Sequence, residues 1–509
     1  MFIRLKKNKS GSVSIQVIEK RGGKNYLVKT IGSSKDEEQL TQMKLQAQDY
    51  IETQLGQLHL GLVDPEEEQW FSQMYHCIRR VQLIGPELLL GKLFDQIGFN
   101  QIPEALFRHL VISRIIYPSS KLKTIRYLKE YEGKSYEIQS VYRYLDKLHS
   151  RQKGKVEQIS YEHTVEVLGG ELSVVFYDVT TIYFEAERED ELRKTGFSKE
   201  GKHKHPQILL GLLVSIDGYP LAYEIFEGNK YEGHTMLPVV ESFKKRFELK
   251  RLVIIADAGL LSKDNVEQLL EKQYEFILGA RLKTEAASIK EQILALKLKD
   301  GESRIIPKQS DLSLIVSYTM SRAAKDSYNR NRGLKKLEKA LSKGKLTKQH
   351  INNRGYNKYL KIQGDVHISI DYSKFDADGS WDGLKGYLTN TKLKPKQLIK
   401  NYNELWKIER AFRISKTDLR IRPVYHRLQR RIEAHICISF TAYKLYKELE
   451  RQLKQKNAGL SVERSIEILR TIYGVVLKYP KSSQTKMLVL AKTEIQRHLL
   501  RIFDINLLG

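Results

Sequence analysis

The sequence predicts a multidomain α+β protein: a mixed α/β core interrupted by a basic, β-rich insertion and flanked by helical N- and C-terminal regions. Three observations carry this prediction. The chain has 509 residues, enough for roughly three or four domains at about 150 residues each. Hydrophobic residues make up 41% of it, so sizeable cores can form. Strand-like and helical patterns alternate through the middle of the chain and give way to helical patterns on both sides.

The N-terminal part contains two regions. Residues 1–55 form a small β-rich region, because "SVSIQVIEK" and "NYLVKTIG" alternate in hydrophobicity around Gly22-Gly23, which predicts a hairpin. Residues 56–168 have a helical period, as in "EALFRHLVISRII" and "IQSVYRYLDKLHS". The prolines of this region stand near the expected helix ends.

The first part of the core covers residues 169–284. "LSVVFYDVTTIYFEAE" predicts a strand, and "QILLGLLVSIDGYPLAYEIFEGN" predicts two strands joined at Asp217-Gly218. A helix, the buried strand "RLVIIADAG", a helix with Ser262 as N-cap and the strand "YEFILGARL" follow. This order suits a mixed sheet whose first strands are antiparallel.

Residues 285–384 interrupt this rhythm. The stretch from residue 281 to 380 holds 21 Lys and Arg against 11 Asp and Glu, with strand-like segments on both sides of its most basic part. We therefore predict a basic, β-rich insertion. The second part of the core, residues 385–450, begins with the strand "GYLTNT". Residues 451–509 are predicted to be helical.

The charge balance indicates a polyanionic partner. Lys and Arg number 87 against 61 Asp and Glu, a net charge of +26, which favours nucleic acid first and an anionic membrane surface second. The most apolar run, "ILLGLLVSI", is too short for a bilayer, which needs about 20 residues. The N-terminus lacks a signal-peptide core, and Cys77 and Cys437 cannot form a zinc cluster or a disulfide framework, so we expect a cytoplasmic protein.

Three carboxylates stand where chemistry is possible. Asp178 lies inside an apolar strand, Asp257 ends another, and Glu409 lies in a basic helical segment. Burying an unpaired charge is costly, so such residues are usually paired, metal-bound or used as caps of neighbouring elements. Together they could meet at one edge of the sheet, where oxygen ligands suit Mg²⁺ or Mn²⁺. Two such ions can clamp the attacking and leaving oxygens of an in-line phosphoryl transfer.

The segment "YNELWKIERAFRISK" predicts one helix from Tyr402 to Lys416. Tyr402, Glu409 and Lys416 are seven residues apart, so they would share one stripe, with Arg413 beside it. A carboxylate flanked by a phenol and cations fits a metal ligand with phosphate contacts on either side. The alternative is a solvated face with ordinary charge pairs.

These residues and their order resemble a known family. Asp178 on the first strand, Asp257 on "IIADAG", a long basic insertion and then the segment from Tyr402 to Lys416 are similar to bacterial insertion-sequence transposases with a DDE ribonuclease H-like core. The likeness is to the branch with a Y-x2-R-x3-E-x6-K signature and a β-rich insertion. The separation of 152 positions from Asp257 to Glu409 fits such an insertion. The signature arginine falls on Leu405, with Arg410 or Arg413 as substitutes on other helix faces.

The resemblance implies cut-and-paste DNA transposition by metal-dependent strand cleavage, hairpin formation and strand transfer. Asp178, Asp257 and Glu409 would be catalytic and hold Mg²⁺ (Mn²⁺ may substitute), as two ions. Tyr402, Lys416, Arg410 and Arg413 would contact DNA. Trp381, 28 residues before Glu409, would stack a flipped base or else pack the insertion onto the core.

The resemblance also implies the partners. These are double-stranded DNA, as terminal inverted repeats and as target, and a second subunit in a homodimeric DNA complex. The helical region 56–168 would recognise the DNA ends, with Tyr142, Arg143 and Lys147 exposed on "IQSVYRYLDKL", unless this is a packed helix. The C-terminal helices would dimerise. Two alternatives remain: a metal-dependent nuclease without strand transfer, and a catalytically dead DNA-binding derivative.

Overall fold

The chain divides into two units in a computed structural model. One comprises Met1–Arg79 and Leu477–Lys486, and the other Arg80–Val476 and Met487–Gly509. The structure describes residues 1–54, 65–185, 188–197, 201, 204–308, 311–352, 355–363, 367–479, 482 and 484–505.

The N-terminal part of the first unit is an antiparallel three-stranded sheet with helices. Its elements are β1 (Phe2–Lys7), β2 (Val13–Arg21), β3 (Lys24–Ser34), α1 (Glu37–Gln54) and α2 (Pro65–Cys77). Gly22 and Gly23 both have positive φ, which the tight turn between β2 and β3 requires, so the predicted hairpin is confirmed. Helix α1 covers β2, and Ile15, Val17 and Ala47 are fully buried between them.

The helical segment that follows begins with a strand that the sequence analysis did not predict. Its elements are β4 (Ile78–Leu83), α3 (Lys92–Ile97), α4 (Ala105–Ile116), α5 (Lys121–Glu132), α6 (Ile138–Lys147) and α7 (Lys153–Val167). Helix α4 contributes Phe107, Leu110 and Val111 to the largest hydrophobic core, and nine of its twelve residues are buried, because apolar side chains cover most of its circumference.

The middle of the chain forms an eight-stranded mixed sheet with connecting helices. The elements are β5 (Val174–Tyr183), β6 (Gln207–Ser215), β7 (Pro220–Glu227), α8 (Met236–Arg246), β8 (Val253–Ala256), α9 (Lys263–Glu271), β9 (Glu275–Ala280), α10 (Ala287–Ala295), β10 (Ser303–Pro307), β11 (Ser313–Tyr318), α11 (Met320–Ser342), β12 (Leu360–Gln363), β13 (His367–Ile370), α12 (Tyr372–Gly379) and β14 (Leu384–Thr389).

The strand order in this sheet is β10-β11-β14-β9-β8-β5-β6-β7. Strands β5, β6 and β7 are antiparallel, as predicted, whereas β8 is parallel to both β5 and β9. Strand β14 returns antiparallel between β9 and β11. Ser262 caps α9 by accepting a hydrogen bond from the Asn265 amide at 3.1 Å, also as predicted.

The segment predicted as a β-rich insertion departs from that prediction. Its most basic stretch is largely helix α11, 23 residues long, and β10 and β11 extend the main sheet instead of forming a separate one. Only β12 and β13 pair apart from it, among the strands of this segment that the structure describes. The segment is therefore mixed α/β, because Ala, Leu, Lys and Arg in α11 all favour helix.

The C-terminal part contains α13 (Pro395–Asn403), α14 (Trp406–Thr417), α15 (Gln429–Gln455), α16 (Val462–Leu469), β15 (Tyr473–Lys478), β16 (Thr485–Leu490) and α17 (Glu494–Ile502). The prediction of an entirely helical region over 451–509 is wrong, because β15 and β16 pair in a sheet ordered β16-β15-β4. Among the described residues, no helix is long and apolar enough to cross a bilayer.

Candidate active site

The sheet places Asp178 and Asp257 side by side. Tyr177 of β5 lies opposite Ala256 of β8 in the parallel pairing, so the two aspartates occupy the next position on neighbouring strands. Side chains alternate between the faces of a sheet. Phe176 and Ile182 of β5 belong to the core on the face that α13 and α14 cover, so Asp178 and Asp257 lie on that face too.

Each aspartate is held by the backbone amide that follows it. Asp178 Oδ1 accepts from the Val179 amide at 2.7 Å, and Asp257 Oδ1 accepts from the Ala258 amide at 2.6 Å. Asp257 caps a short 3-10 turn where β8 ends, which agrees with the capping role that the sequence left open. Asp257 is nevertheless exposed and Asp178 half-buried, so neither carboxylate is enclosed.

Glu409 lies on α14, which packs with α13 on this face of the sheet. The buried side of these helices is formed by Leu398, Leu405, Ile408 and Phe412, which belong to the same core as Phe176. Glu409 is exposed on the other side of α14. Helix α14 thus lies over the face of the sheet that carries the two aspartates, and Glu409 is on the solvent side of that helix.

The prediction of one helix from Tyr402 to Lys416 is wrong. Helix α13 ends at Asn403 and α14 begins at Trp406. Between them the amide of Leu405 bonds the Tyr402 carbonyl at 3.0 Å, and that of Ile408 bonds the Leu405 carbonyl at 3.1 Å, which is 3-10 spacing. Tyr402 and Glu409 are therefore on different helices. They do not share one exposed stripe, because the side chains of Tyr402 and Leu405 are both buried in the core.

Tyr402 is buried beside Asp257 instead of lying on an exposed face. It is 5% exposed, meets the Tyr387 ring edge-on at 4.9 Å between centroids, and has Lys385 Nζ 4.6 Å from its ring centre. A Cβ added at Gly279 would stand 2.4 Å from the Tyr402 hydroxyl and 2.9 Å from the Ala258 amide. Gly279 therefore leaves the space in which this hydroxyl sits.

Asp257 and Glu409 both influence the pKa values of Tyr402 and Lys385. Burial first, and then Asp257, Tyr387 and Glu409, raise the pKa of Tyr402. Burial, with Arg322, lowers the pKa of Lys385, while Asp257 and Glu409 oppose that shift. One phenol and one ammonium thus respond to both carboxylates. Sequence reasoning missed Lys385 because nothing in "LKGYLT" distinguishes it from the rest of the 87 cations.

The remaining predicted DNA contacts have different surroundings. Arg413 is exposed and Lys416 half-buried on α14. Arg410 forms an ion pair with Glu450. Trp381 is half-buried and packs against the small core that contains Leu282 and Ile293, the packing alternative raised above.

The three carboxylates are ligands of the kind that a hard cation takes, although they are not gathered into a metal site. Within the part of the chain that the structure describes, no three His, Cys, Asp or Glu side chains are close enough together to hold a metal ion. The oxygens of Asp178, Asp257 and Glu409 are carboxylate oxygens at a partly solvated face, which Mg²⁺ and Mn²⁺ prefer. These residues fit such an ion in kind.

A Gly279→Ala variant is expected to lose activity through Tyr402. The new Cβ would meet the Tyr402 hydroxyl and the Ala258 backbone, so the ring and the turn holding Asp257 must shift. If the site carries out the DNA cleavage that the family resemblance implies, that cleavage should be about 100-fold slower, the effect of misplacing a group by about 1 Å. The matched control is Gly154→Ala on α7, where nothing lies near the new Cβ, and it should leave cleavage unchanged. Equal cleavage rates for Gly279→Ala and wild type would contradict a role for Tyr402 in the site.

Comparison with known proteins gives a family match. Residues 169–445 match the family model described as "Transposase DDE domain", which covers more than half of the chain. No curated protein matches the chain. Among solved structures, the piggyBac transposase synaptic complex with hairpin DNA is similar at a TM-score of 0.38 and 10% identity, over 78% of this chain and 80% of that one.

Proposed function

This chain belongs to the DDE transposase family, and on that premise we propose that it excises and inserts a DNA element by cut-and-paste transposition. The observation that carries the proposal is the placement of Asp178 and Asp257 at adjacent positions of β5 and β8, on the face covered by the helices that lead to Glu409. Strand cleavage, hairpin formation and strand transfer are all in-line displacements at phosphorus, so one carboxylate site can serve each of them.

The core is proposed to be ribonuclease H-like. Support comes from the order β7-β6-β5-β8-β9, in which three antiparallel strands are followed by two parallel ones. We also propose the domain ranges that the sequence analysis predicted. These are a small N-terminal region over 1–55, a DNA-end-binding region over 56–168, a core over 169–284 and 385–450 around the segment 285–384, and a dimerising C-terminal region over 451–509.

Asp178, Asp257 and Glu409 would hold two Mg²⁺ ions, with Mn²⁺ as a substitute. Bound metal lowers the pKa of water and neutralises charge on the transferring phosphate. The chain's own residues do the positioning: the Val179 and Ala258 amides orient the two aspartates, and the hydroxyl of buried Tyr402 lies close to the turn beside Asp257. Lys385 supplies a cation near Asp257 and Glu409, and exposed Arg413 with Lys416 extends the basic surface along α14 toward a phosphate backbone.

A 3′-end joining assay tests this function. Purified protein, Mg²⁺ and a duplex that ends in the inverted repeats flanking its gene should give nicked, hairpin and target-joined products. Cleavage without joined product would favour the metal-dependent nuclease. A gel shift without cleavage in Mg²⁺ or Mn²⁺ would favour the catalytically dead DNA-binding derivative. We propose that the active species is a homodimer on paired ends, acting on cytoplasmic DNA, and crosslinking on DNA would reveal it.

Trp381 gives a sharper test of the hairpin step. We propose that it stacks a base flipped out near the element end, which repays part of an unstacking cost of a few kcal/mol. Trp381→Ala should then retain first-strand nicking and lose hairpin product about tenfold. The comparison variant is Trp406→Ala, because Trp406 is 49% exposed and three residues before Glu409. If Trp381→Ala lowers the melting temperature and slows both steps alike, Trp381 only packs against its core.

A further inference from the structure

A basic cavity of about 560 Å³ is lined by none of the candidate active-site residues. It lies where the end of α4, the start of α5 and the segment between α14 and α15 meet. Its lining includes no carboxylate and five cationic side chains, Arg114, Lys121, Lys123, Arg420 and Arg422. A cavity with this charge and volume has the size of a small-molecule site and the electrostatics of an anion site.

Two of these cations are buried without a counterion. Arg114 is 5% exposed and Lys121 is 6% exposed. In the described part of the chain neither forms an ion pair or a side-chain hydrogen bond, and burial lowers the pKa of both, that of Arg114 to about 10. Arg114 further lowers the pKa of Lys121, so the two cations also repel each other. Burying unpaired charges in this way is unfavourable unless something compensates them.

The local backbone adds to this excess of positive charge. Lys121 is the first residue of α5, and Ser120 is its N-cap. The amides at a helix N-terminus carry partial positive charge, so a cation is disfavoured there and an anion is favoured. Both the side chains and the backbone at this end of the cavity therefore disfavour the empty state.

The histidines of the lining provide hydrogen-bonding capacity without more charge. Burial, with Lys121 and nearby arginines, lowers the pKa of His426 to about 4, so it is neutral at pH 7. His435 bonds the Ile421 carbonyl through Nε2 at 2.9 Å, and its Nδ1 is a buried atom without a hydrogen-bond partner in the described part of the chain. Because Nε2 donates to a carbonyl and burial lowers the pKa of His435, its Nδ1 carries a lone pair, which can accept a hydrogen bond but cannot donate one to an anion. The two unpaired cations and the amides at the start of α5 are therefore what indicates an anionic ligand.

We propose that this cavity binds a phosphate group, and specifically a backbone phosphate of bound DNA, between Arg114, Lys121 and the N-terminus of α5. Tyr425 at the lining is 67% exposed and offers a ring face for the adjoining sugar or base. The phosphate site stands on its own, whereas DNA as the source of that phosphate rests on the proposed transposase function. A free phosphate or nucleotide would use the same contacts.

Thermal denaturation of the whole chain tests the phosphate site. Inorganic phosphate should raise the melting temperature above that in chloride at equal ionic strength and pH, because it binds the folded state. Lys121→Met should lose that shift, while melting in chloride at or above wild type, since an unpaired buried charge is removed. Lys129→Met is the matched control, an exposed lysine on the same helix outside the cavity, and it should keep the shift.

DNA binding by the same variants identifies the source of the phosphate. If it is backbone, Lys121→Met should bind a duplex about tenfold more weakly, with a salt slope smaller by about one. Unchanged DNA binding together with a lost phosphate shift would assign the site to a free phosphate compound. Lys121→Arg, which keeps the charge, should retain the shift if Lys121→Met does not fold. The proposal is overturned if phosphate stabilises wild type no more than chloride, whether or not the protein cleaves DNA.

Discussion

Replacing Asp257 by Asn should abolish DNA cleavage without weakening DNA binding. The amide keeps an oxygen that can accept from the Ala258 amide, so the turn after β8 should survive. What it loses is the negative charge of a group that lies beside Asp178 and that, like Glu409, acts on the pKa of Tyr402 and of Lys385. We expect a loss of at least about a thousand-fold, the scale seen when one member of a catalytic set is removed.

Asp178→Asn and Glu409→Gln should behave in the same way if the three act as a unit. Members of one catalytic set are strongly non-additive, so the Asp178→Asn and Asp257→Asn double variant should be no slower than either single variant. DNA binding should be equal or tighter, because a negative charge leaves a surface that faces phosphates. Asp264→Asn is the control, an exposed aspartate in the first turn of α9.

A second readout separates metal binding from catalysis. Mn²⁺ bound by the protein on DNA can be counted by electron paramagnetic resonance, and each of the three substitutions should reduce it relative to wild type and Asp264→Asn. If any one of the three variants cleaves end DNA in Mg²⁺ at the wild-type rate, that residue is not a ligand. Full cleavage by all three would remove the site altogether.

The parts of this site that sequence alone could predict are those fixed by local pattern. Continuous apolar runs around Asp178 and before Asp257 predict buried strands, and Ser262 before a helical period predicts a cap, so these elements are where they were expected. The position of Tyr402 could not be predicted this way. Its seven-residue spacing from Glu409 assumes an unbroken helix, whereas burial of Tyr402 and Leu405 tightens the backbone between them.

Tertiary packing also decides the residues that sequence reasoning missed. Gly279 looks like any strand glycine in "YEFILGARL", and only the folded structure, with the Tyr402 hydroxyl and Ala258 beside it, shows why a side chain is excluded. Arg114 and Lys121 look like two of 87 cations until folding buries them together. Helix α11, by contrast, could be predicted from sequence, because Leu334, Leu337 and Leu341 are spaced as one face of a helix. The strand-like segments on either side of this basic stretch favoured a β-rich prediction instead.

Replacing Glu448 by Gln should cause the largest loss of stability among the polar residues of α15. Glu448 is 1% exposed and accepts from Tyr219 Oη at 2.6 Å, from Arg451 Nη2 at 2.6 Å and from Gln452 Nε2 at 2.7 Å. One turn earlier, buried Lys444 donates to the Ser160 carbonyl at 2.9 Å and to Thr164 Oγ1 at 2.5 Å on α7. These contacts join α15 to α7 and to the residue before β7.

The size of the loss follows from what the substitution leaves behind. Glu448 is buried but its partner Arg451 is 35% exposed, so the loss is that of charge-assisted hydrogen bonds to a buried carboxylate, about 1.5–3 kcal/mol. Burial lowers the pKa of Lys444 and Glu448 opposes that shift, so the substitution also removes a favourable charge near Lys444. Urea denaturation followed by tryptophan fluorescence measures the difference. The control is Glu467→Gln, whose pair with Arg464 has the same three-residue spacing but is 58% and 54% exposed, and it should change stability by less than about 1 kcal/mol.

The pH dependence of that difference tests its electrostatic origin. Burial raises the pKa of Glu448, but hydrogen bonds from Arg451, Tyr219 and Gln452 outweigh it and hold the pKa below the ordinary 4.5. A carboxyl whose folded-state pKa is depressed contributes stability above its unfolded pKa and loses it as the pH falls through the folded value. The difference in free energy of unfolding between wild type and Glu448→Gln should therefore be constant above about pH 5 and become smaller below pH 4.5. A gap that stays constant into acid would mean that the substitution disturbs packing alone, and that the charge of Glu448 adds nothing to the junction of α15 with α7.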